Sequence, residues 1–127
     1  MTSGERLLLD TNAIIALLRG HTALLERLHK AEWVGISILS QIEFLAFPGL
    51  SEEDKGYFSE FLERVEVIGL DRAQHQPIDR IIRVRQRHRL KLPDAVIVAT
   101  ALEFSAFLVT DDKKLGNIPP LRCVSLA

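Results

Sequence analysis

The chain is 127 residues long, the length of one domain, and its 47% hydrophobic and 26% charged residues exclude the polar, highly charged composition of a disordered segment. Sixteen Lys and Arg stand against seventeen Asp and Glu, a formal charge of -1, so composition alone announces no polyanion ligand. The single Cys123 excludes an internal disulfide and a C-x-x-C zinc site.

Met1 to Arg6 lacks the layout of a signal peptide, and no apolar run reaches the ~18 residues of a membrane helix, so one cytoplasmic domain over residues 1–127, with no membrane partner, is expected. Arg6-Leu7-Leu8-Leu9 is a continuous apolar run, suited to a strand covered on both faces. Asp10-Thr11-Asn12 offers N-cap residues for a buried helix over Ala13 to Leu18 that stops at Gly20. A second helix, about His21 to Lys30, carries Leu24, Leu25 and Leu28 at helical spacing. Trp33 to Ile36 reads as a strand, with Ser37 or Ser40 capping a helix that holds Ile42, Glu43, Phe44, Leu45 and Phe47 until Pro48-Gly49 breaks it. The acidic start Ser51-Glu52-Glu53-Asp54 suits a helix N-terminus, and Phe58, Phe61 and Leu62 form the apolar stripe behind it.

Val65 to Ile68 is the next strand, followed by a long helix from about Asp71 to Arg89 that Pro77 is expected to break or kink. Leu92-Pro93-Asp94 opens a further helix, Ala95 to Phe104, with proline where a first turn tolerates it. Ala106 to Val109 and, after Pro119-Pro120, Leu121 to Val124 complete the strands. This alternation predicts an α/β domain with a central parallel sheet of four to five strands and helices on both faces.

Ligands of such sheets bind beyond the carboxyl ends of the strands. Asp10 follows the first strand directly, and Asp111 and Asp112 follow the Phe107-Leu108-Val109 strand. Each taken alone is read as a cap. Glu43 interrupts an apolar helix, where it is an exposed glutamate or a site residue, and Asp94 opens a helix apolar nearly all round, where it complements the helix dipole or joins a site. Four carboxylates gathered at one end of a sheet repel and need a cation, and oxygen ligands select a hard one, Mg2+ or Mn2+. Such a centre activates water for attack on a phosphodiester.

The segments Leu7-Leu8-Leu9-Asp10-Thr11-Asn12, Ser37-Ile38-Leu39-Ser40-Gln41-Ile42-Glu43, Leu92-Pro93-Asp94-Ala95-Val96-Ile97-Val98-Ala99-Thr100-Ala101 and Leu108-Val109-Thr110-Asp111-Asp112-Lys113 resemble the four signature segments of PIN-domain ribonucleases of the VapC type, the toxins of toxin–antitoxin modules. They occur in the family's order and span nearly the whole chain. The resemblance implies a PIN-like α/β domain and Mg2+- or Mn2+-dependent cleavage of RNA that leaves a 5′-phosphate and a 3′-hydroxyl. It carries the catalytic and metal-holding acids onto Asp10, Glu43, Asp94 and Asp112. This chain offers two acids after Thr110, and the register from Thr110 favours Asp112, with Asp111 beside it. Thr11, Asn12 and Thr110 are candidates to hydrogen-bond those carboxylates, or to serve only as caps and turn residues. A VapB-type antitoxin and a second toxin copy are the partners the resemblance implies.

Residues 71–91 hold seven basic residues against Asp71 and Asp79, so this segment is +5 and the rest of the chain must carry -6 to reach -1. Arg80, Arg83, Arg87 and Lys91 share a helical stripe, a solvated face or a row of RNA phosphate contacts. Ile78, Ile81 and Ile82 are expected on the opposite face, with Arg85 and Arg89 towards them. His75 and His88 read as surface residues, Cys123 as a small apolar residue, and the phenylalanines Phe44, Phe47, Phe58 and Phe61 as core or as the lining of a partner groove. A non-enzymatic module of the same fold is the competing reading. A phosphoryl-accepting receiver domain fits less well, since no acid pair precedes the middle strand.

Overall fold

A computed structural model describes residues 3–71 and 75–126. Among them are five strands, β1 (Arg6–Leu9), β2 (Trp33–Ser37), β3 (Glu66–Ile68), β4 (Phe107–Val109) and β5 (Cys123–Val124), all parallel, in the order β3-β2-β1-β4-β5. The helices are α1 (Thr11–Leu18), α2 (Thr22–Lys30), α3 (Ile38–Leu45), α4 (Glu52–Leu62), α5 (His75–His88) and α6 (Leu92–Glu103).

Strand β1 lies in the middle because it can be buried on both sides. Leu7, Leu8 and Leu9 are each fully buried, and the two-residue period sends Leu8 to one face and Leu7 and Leu9 to the other. Leu8 meets α5 and α6, whose Ile81, Val84 and the continuous run Ala95 to Ala101 supply that half of the core, apart from the buried Thr100, which donates to the Val96 carbonyl at 2.7 Å. Leu7 and Leu9 meet Ile14 of α1, Leu24 of α2, Phe44 of α3 and Phe58 and Phe61 of α4. The Phe44 and Phe58 rings stack with centroids 4.2 Å apart, while Phe47 stays exposed with its ring edge-on to Phe44.

Local chemistry sets the helix ends. Asp10 and Ser37 cap α1 and α3, and Ser51 and Asp54 form a reciprocal capping box on α4. His21 caps α2 through Nδ1, which accepts the Leu24 N–H, and its Nε2 then donates to the Leu126 carbonyl at 2.8 Å. Pro77 lies near the start of the described α5, which runs without a break from His75 to His88. The start expected for that helix near Asp71 falls partly on residues 72–74, outside those described, as does the His75 side chain.

The inward face of α5 also differs from the sequence expectation. Ile81 and Val84 are buried, whereas Ile82 is 47% exposed, because the face that meets α6 centres on positions 77, 81, 84 and 88. Arg85 is exposed and His88 half-buried, so α5 stays packed on α6 to its end.

Candidate metal centre

The chain lays β1, β2 and β3 in one direction and then returns to the other side of β1 to add β4 and β5, so the strand order reverses between β1 and β4. Asp10 and the Asp111-Asp112 pair leave the carboxyl ends of those two strands. The two ends are tied directly by the Asp10 N–H, which donates to the Val109 carbonyl at 3.3 Å. A crevice at this reversal is where open α/β sheets hold ligands.

Asp10 is only 9% exposed. Its Oδ1 accepts the Ala13 N–H at 2.8 Å, and the Thr110 hydroxyl also bonds its carboxylate. Burial is the largest influence on Asp10 and raises its carboxyl above the ordinary value. The two hydrogen bonds pull it down, and the charges of Asp111 and Asp112 push it up again.

Asp94 sits half-buried in the first turn of α6, which Pro93 starts without an in-helix N–H to satisfy. Burial, then the charge of Asp112, raise its carboxyl, and Lys91 and Lys114 partly offset them. Asp112 is therefore the neighbour that Asp10 and Asp94 share. Glu43 is exposed on α3 and joins α1 through the Thr11 hydroxyl, which donates to its Oε1 at 3.2 Å. Asn12 is the second residue of α1 and exposed.

The two acids after Thr110 have different surroundings. Asp111 Oδ1 accepts both the Leu126 N–H and the Ser125 hydroxyl at 2.8 Å, and these bonds, the first foremost, hold its carboxyl below the ordinary range. Its carboxylate thus fastens the C-terminal segment. Asp112 Oδ1 accepts the Lys114 N–H at 2.9 Å, and the Asp112 N–H donates to the Thr110 hydroxyl at 3.0 Å. Thr110, almost fully buried, thereby links the carboxylate of Asp10 to the backbone of Asp112. Sequence reading left this bridging open and missed Lys114, for which the lysines following Asp112 were the available signal.

The donor set is oxygen only, which suits Mg2+ or Mn2+ and not a soft ion. Two of its carboxyls are raised by burial together with neighbouring acids, the electrostatic state a divalent cation relieves. Among the described residues no three Asp, Glu, His or Cys side chains stand close enough together to hold an ion.

Comparison with known proteins places these features in a family. The sequence pattern of the PIN domain matches residues 7–119. Among solved structures, a toxin–antitoxin complex from Klebsiella pneumoniae contains a chain 26% identical, with a TM-score of 0.75 over 94% of this chain and 97% of that one. VapBC from Salmonella typhimurium, bound to DNA, is 21% identical with a TM-score of 0.78 over 97% and 99% of the two chains. VapBC2 from Rickettsia felis, bound to a promoter fragment, is 22% identical with a TM-score of 0.77 over 94% and 97%. No functionally curated protein matches the chain. With the fold, the acids at its switch point and a sequence match covering most of its length in agreement, the chain belongs to the PIN domain family.

Proposed function

We propose that the protein is a metal-dependent endoribonuclease and the toxin of a toxin–antitoxin pair. The observation that carries this reading is that Asp10 and Asp112 follow the two strands at the sheet reversal, with Asp112 near enough to act on the charge of both Asp10 and Asp94. Asp10, Glu43, Asp94 and Asp112 would hold Mg2+ or Mn2+, which when bound supplies a Lewis acid for water activation and for charge on the phosphate.

The chain's own residues set up that chemistry. Ala13 N–H and the Thr110 hydroxyl fix the Asp10 carboxylate, so it need not reorganise when a cation and a phosphate arrive. Thr110 holds the backbone that carries Asp112, and Thr11 steadies Glu43. Lys91 and Lys114, close enough to act on Asp94, place positive charge at the rim where a phosphodiester approaches.

The toxin reading rests on the Klebsiella likeness and on an apolar groove of about 430 Å3 whose lining includes Leu17, Leu25, Leu28, Tyr57 and Phe61, with Leu25 and Tyr57 about half exposed. A VapB-type antitoxin is the partner we assign to it. Phe44 and Phe58 lie in the core and outside that groove. We also expect a homodimer, which sedimentation of the purified toxin measures. No helix among the described residues is long and apolar enough to cross a membrane.

Purified protein is expected to cut RNA with Mg2+, to stop with excess EDTA, and to lose cleavage in Asp94→Asn while staying folded. Cleavage undiminished by EDTA, or by Asp94→Asn, overturns the metal site. A folded wild type without cleavage, melting at the same temperature with and without Mg2+, leaves the non-enzymatic module.

A further inference from the structure

The basic stripe anticipated from the sequence does not behave as one surface. At the start of α5, Arg80 and Arg83 line a depression of about 350 Å3 together with Asp79 and Glu103, so acids dilute the positive field there. Towards its end, Arg85, Arg87, Arg89 and Lys91 are all exposed, and no ion pair among the described residues involves any of them.

This arrangement only partly suits the helix that carries it. Arg83 and Arg87 are like charges four residues apart within α5, which repel on a helix. Arg85 and Arg87 lie in its last turn, where the helix dipole favours cations. Arg89 adds a backbone cost. The Leu90 N–H donates to the Arg85 carbonyl at 3.2 Å, closing the helix as a Schellman motif, and Arg89 takes its left-handed position at φ 54°. Glycine ordinarily fills that position because a Cβ is strained there. Arg89 is exposed, holds a strained backbone position and takes part in no ion pair among the described residues, so an external anion would give it a partner the described fold does not.

Its location identifies the anion. From Arg89 the chain runs through Leu90 and Lys91 into α6, whose first turn carries Asp94, five residues on and so within about 17 Å. We propose that Arg87, Arg89 and Lys91, at the turn from α5 into α6, bind backbone phosphates of the RNA strand beside the scissile bond. The proposal rests on the ribonuclease reading for the identity of the strand.

The test is anisotropy of a 5′-fluorescein 12-nucleotide single-stranded RNA with the full chain, from 50 to 200 mM KCl, in EDTA so that nothing is cut. Each phosphate contact contributes about -0.7 to the slope of log K against log salt. Arg87→Gln with Arg89→Gly is expected to weaken binding about tenfold or more and to flatten the slope by about 1.4. Arg80→Gln with Arg83→Gln should stay within twofold. Arg89→Gly alone should raise the melting temperature while weakening binding, opposite movements that a merely structural role does not produce. Equal affinity and slope for wild type and Arg87→Gln/Arg89→Gly overturn the proposal, as does a larger loss from the Arg80/Arg83 pair. The two readings fail separately. Wild type that cleaves, with RNA binding intact in the arginine variant, removes the phosphate contacts alone, whereas loss of binding beside a wild type that never cleaves with Mg2+ removes the ribonuclease alone.

Discussion

Replacing Thr110 by valine keeps the shape of a residue that is 4% exposed and removes a hydroxyl with two partners. One is the Asp10 carboxylate, and a hydrogen bond to a charged group contributes about 1.5–3 kcal/mol. The other is the Asp112 N–H at 3.0 Å, an ordinary bond of about 0.5–1.5 kcal/mol. With no cavity created, the two together predict a loss of about 2–4.5 kcal/mol at pH 7 in EDTA, read by urea denaturation. The pH dependence has a definite sign. Burial already raises the Asp10 carboxyl above its ordinary 3.8, so the folded state binds that proton more tightly than the unfolded one, and this contribution to stability is full below pH 3.8 and lost as pH rises through the folded value. Removing the Thr110 bond raises Asp10 further. The deficit of Thr110→Val is therefore largest at neutral pH and shrinks on acidification, as the charge that needed the bond disappears. Mg2+ affinity, read as the rise in melting temperature with added metal, should fall about 10–100-fold, the usual cost of removing a partner behind a metal ligand. Thr110→Ser keeps the hydroxyl and should retain most of both. Stability within 0.5 kcal/mol of wild type for Thr110→Val at pH 7, or equal damage from Thr110→Ser, refutes the bridging role.

Asp112→Asn is expected to abolish Mg2+-dependent cleavage, while Asp111→Asn keeps it and loosens the C-terminal segment, seen as faster amide exchange at Leu126; the reverse result would exchange the two assignments. Asp10→Asn retains a good N-cap for α1 and removes a buried charge, so in EDTA it should melt above wild type at pH 7, with that advantage lost on acidification, yet gain nothing from Mg2+. Gly35→Ala drives a Cβ into Trp33 Cη2, forcing the indole off its stack on Phe104 at 5.2 Å and its bond to Glu66 at 2.7 Å, a cost of about 1–3 kcal/mol visible in the fluorescence of the only tryptophan. In a Trp33→Ala background the same change should be nearly neutral; if it still destabilises, the clash is not the cause.

The order of elements was legible because each has a local cause: an unbroken Leu7-Leu8-Leu9 run, a serine followed three residues later by an acid at Ser51 and Asp54, a proline at the start of α6. The four segments that carry the acids were legible for the same reason, since each acid follows a strand or occupies an early or mid-helix position that hydrophobic pattern locates. The inward face of α5 was less so. Ile81, Ile82 and Val84 are equally apolar in sequence, and only the angle at which α5 meets α6 buries the first and third and leaves Ile82 outside.

Local sequence pattern sets the supply: which residues can be strands and which of those strands end in carboxylates. Their company depends on the fold. Asp10 and Asp112 lie about a hundred residues apart along the chain, and they share a site because β4 returns to the open side of β1, a pairing between distant segments that no local pattern encodes. The same return gives Asp111 the Ser125 and Leu126 partners that draw it away, leaves Asp112 facing Asp94, and divides a uniform row of arginines into a half diluted by Asp79 and Glu103 and a half that stands alone before the carboxylates.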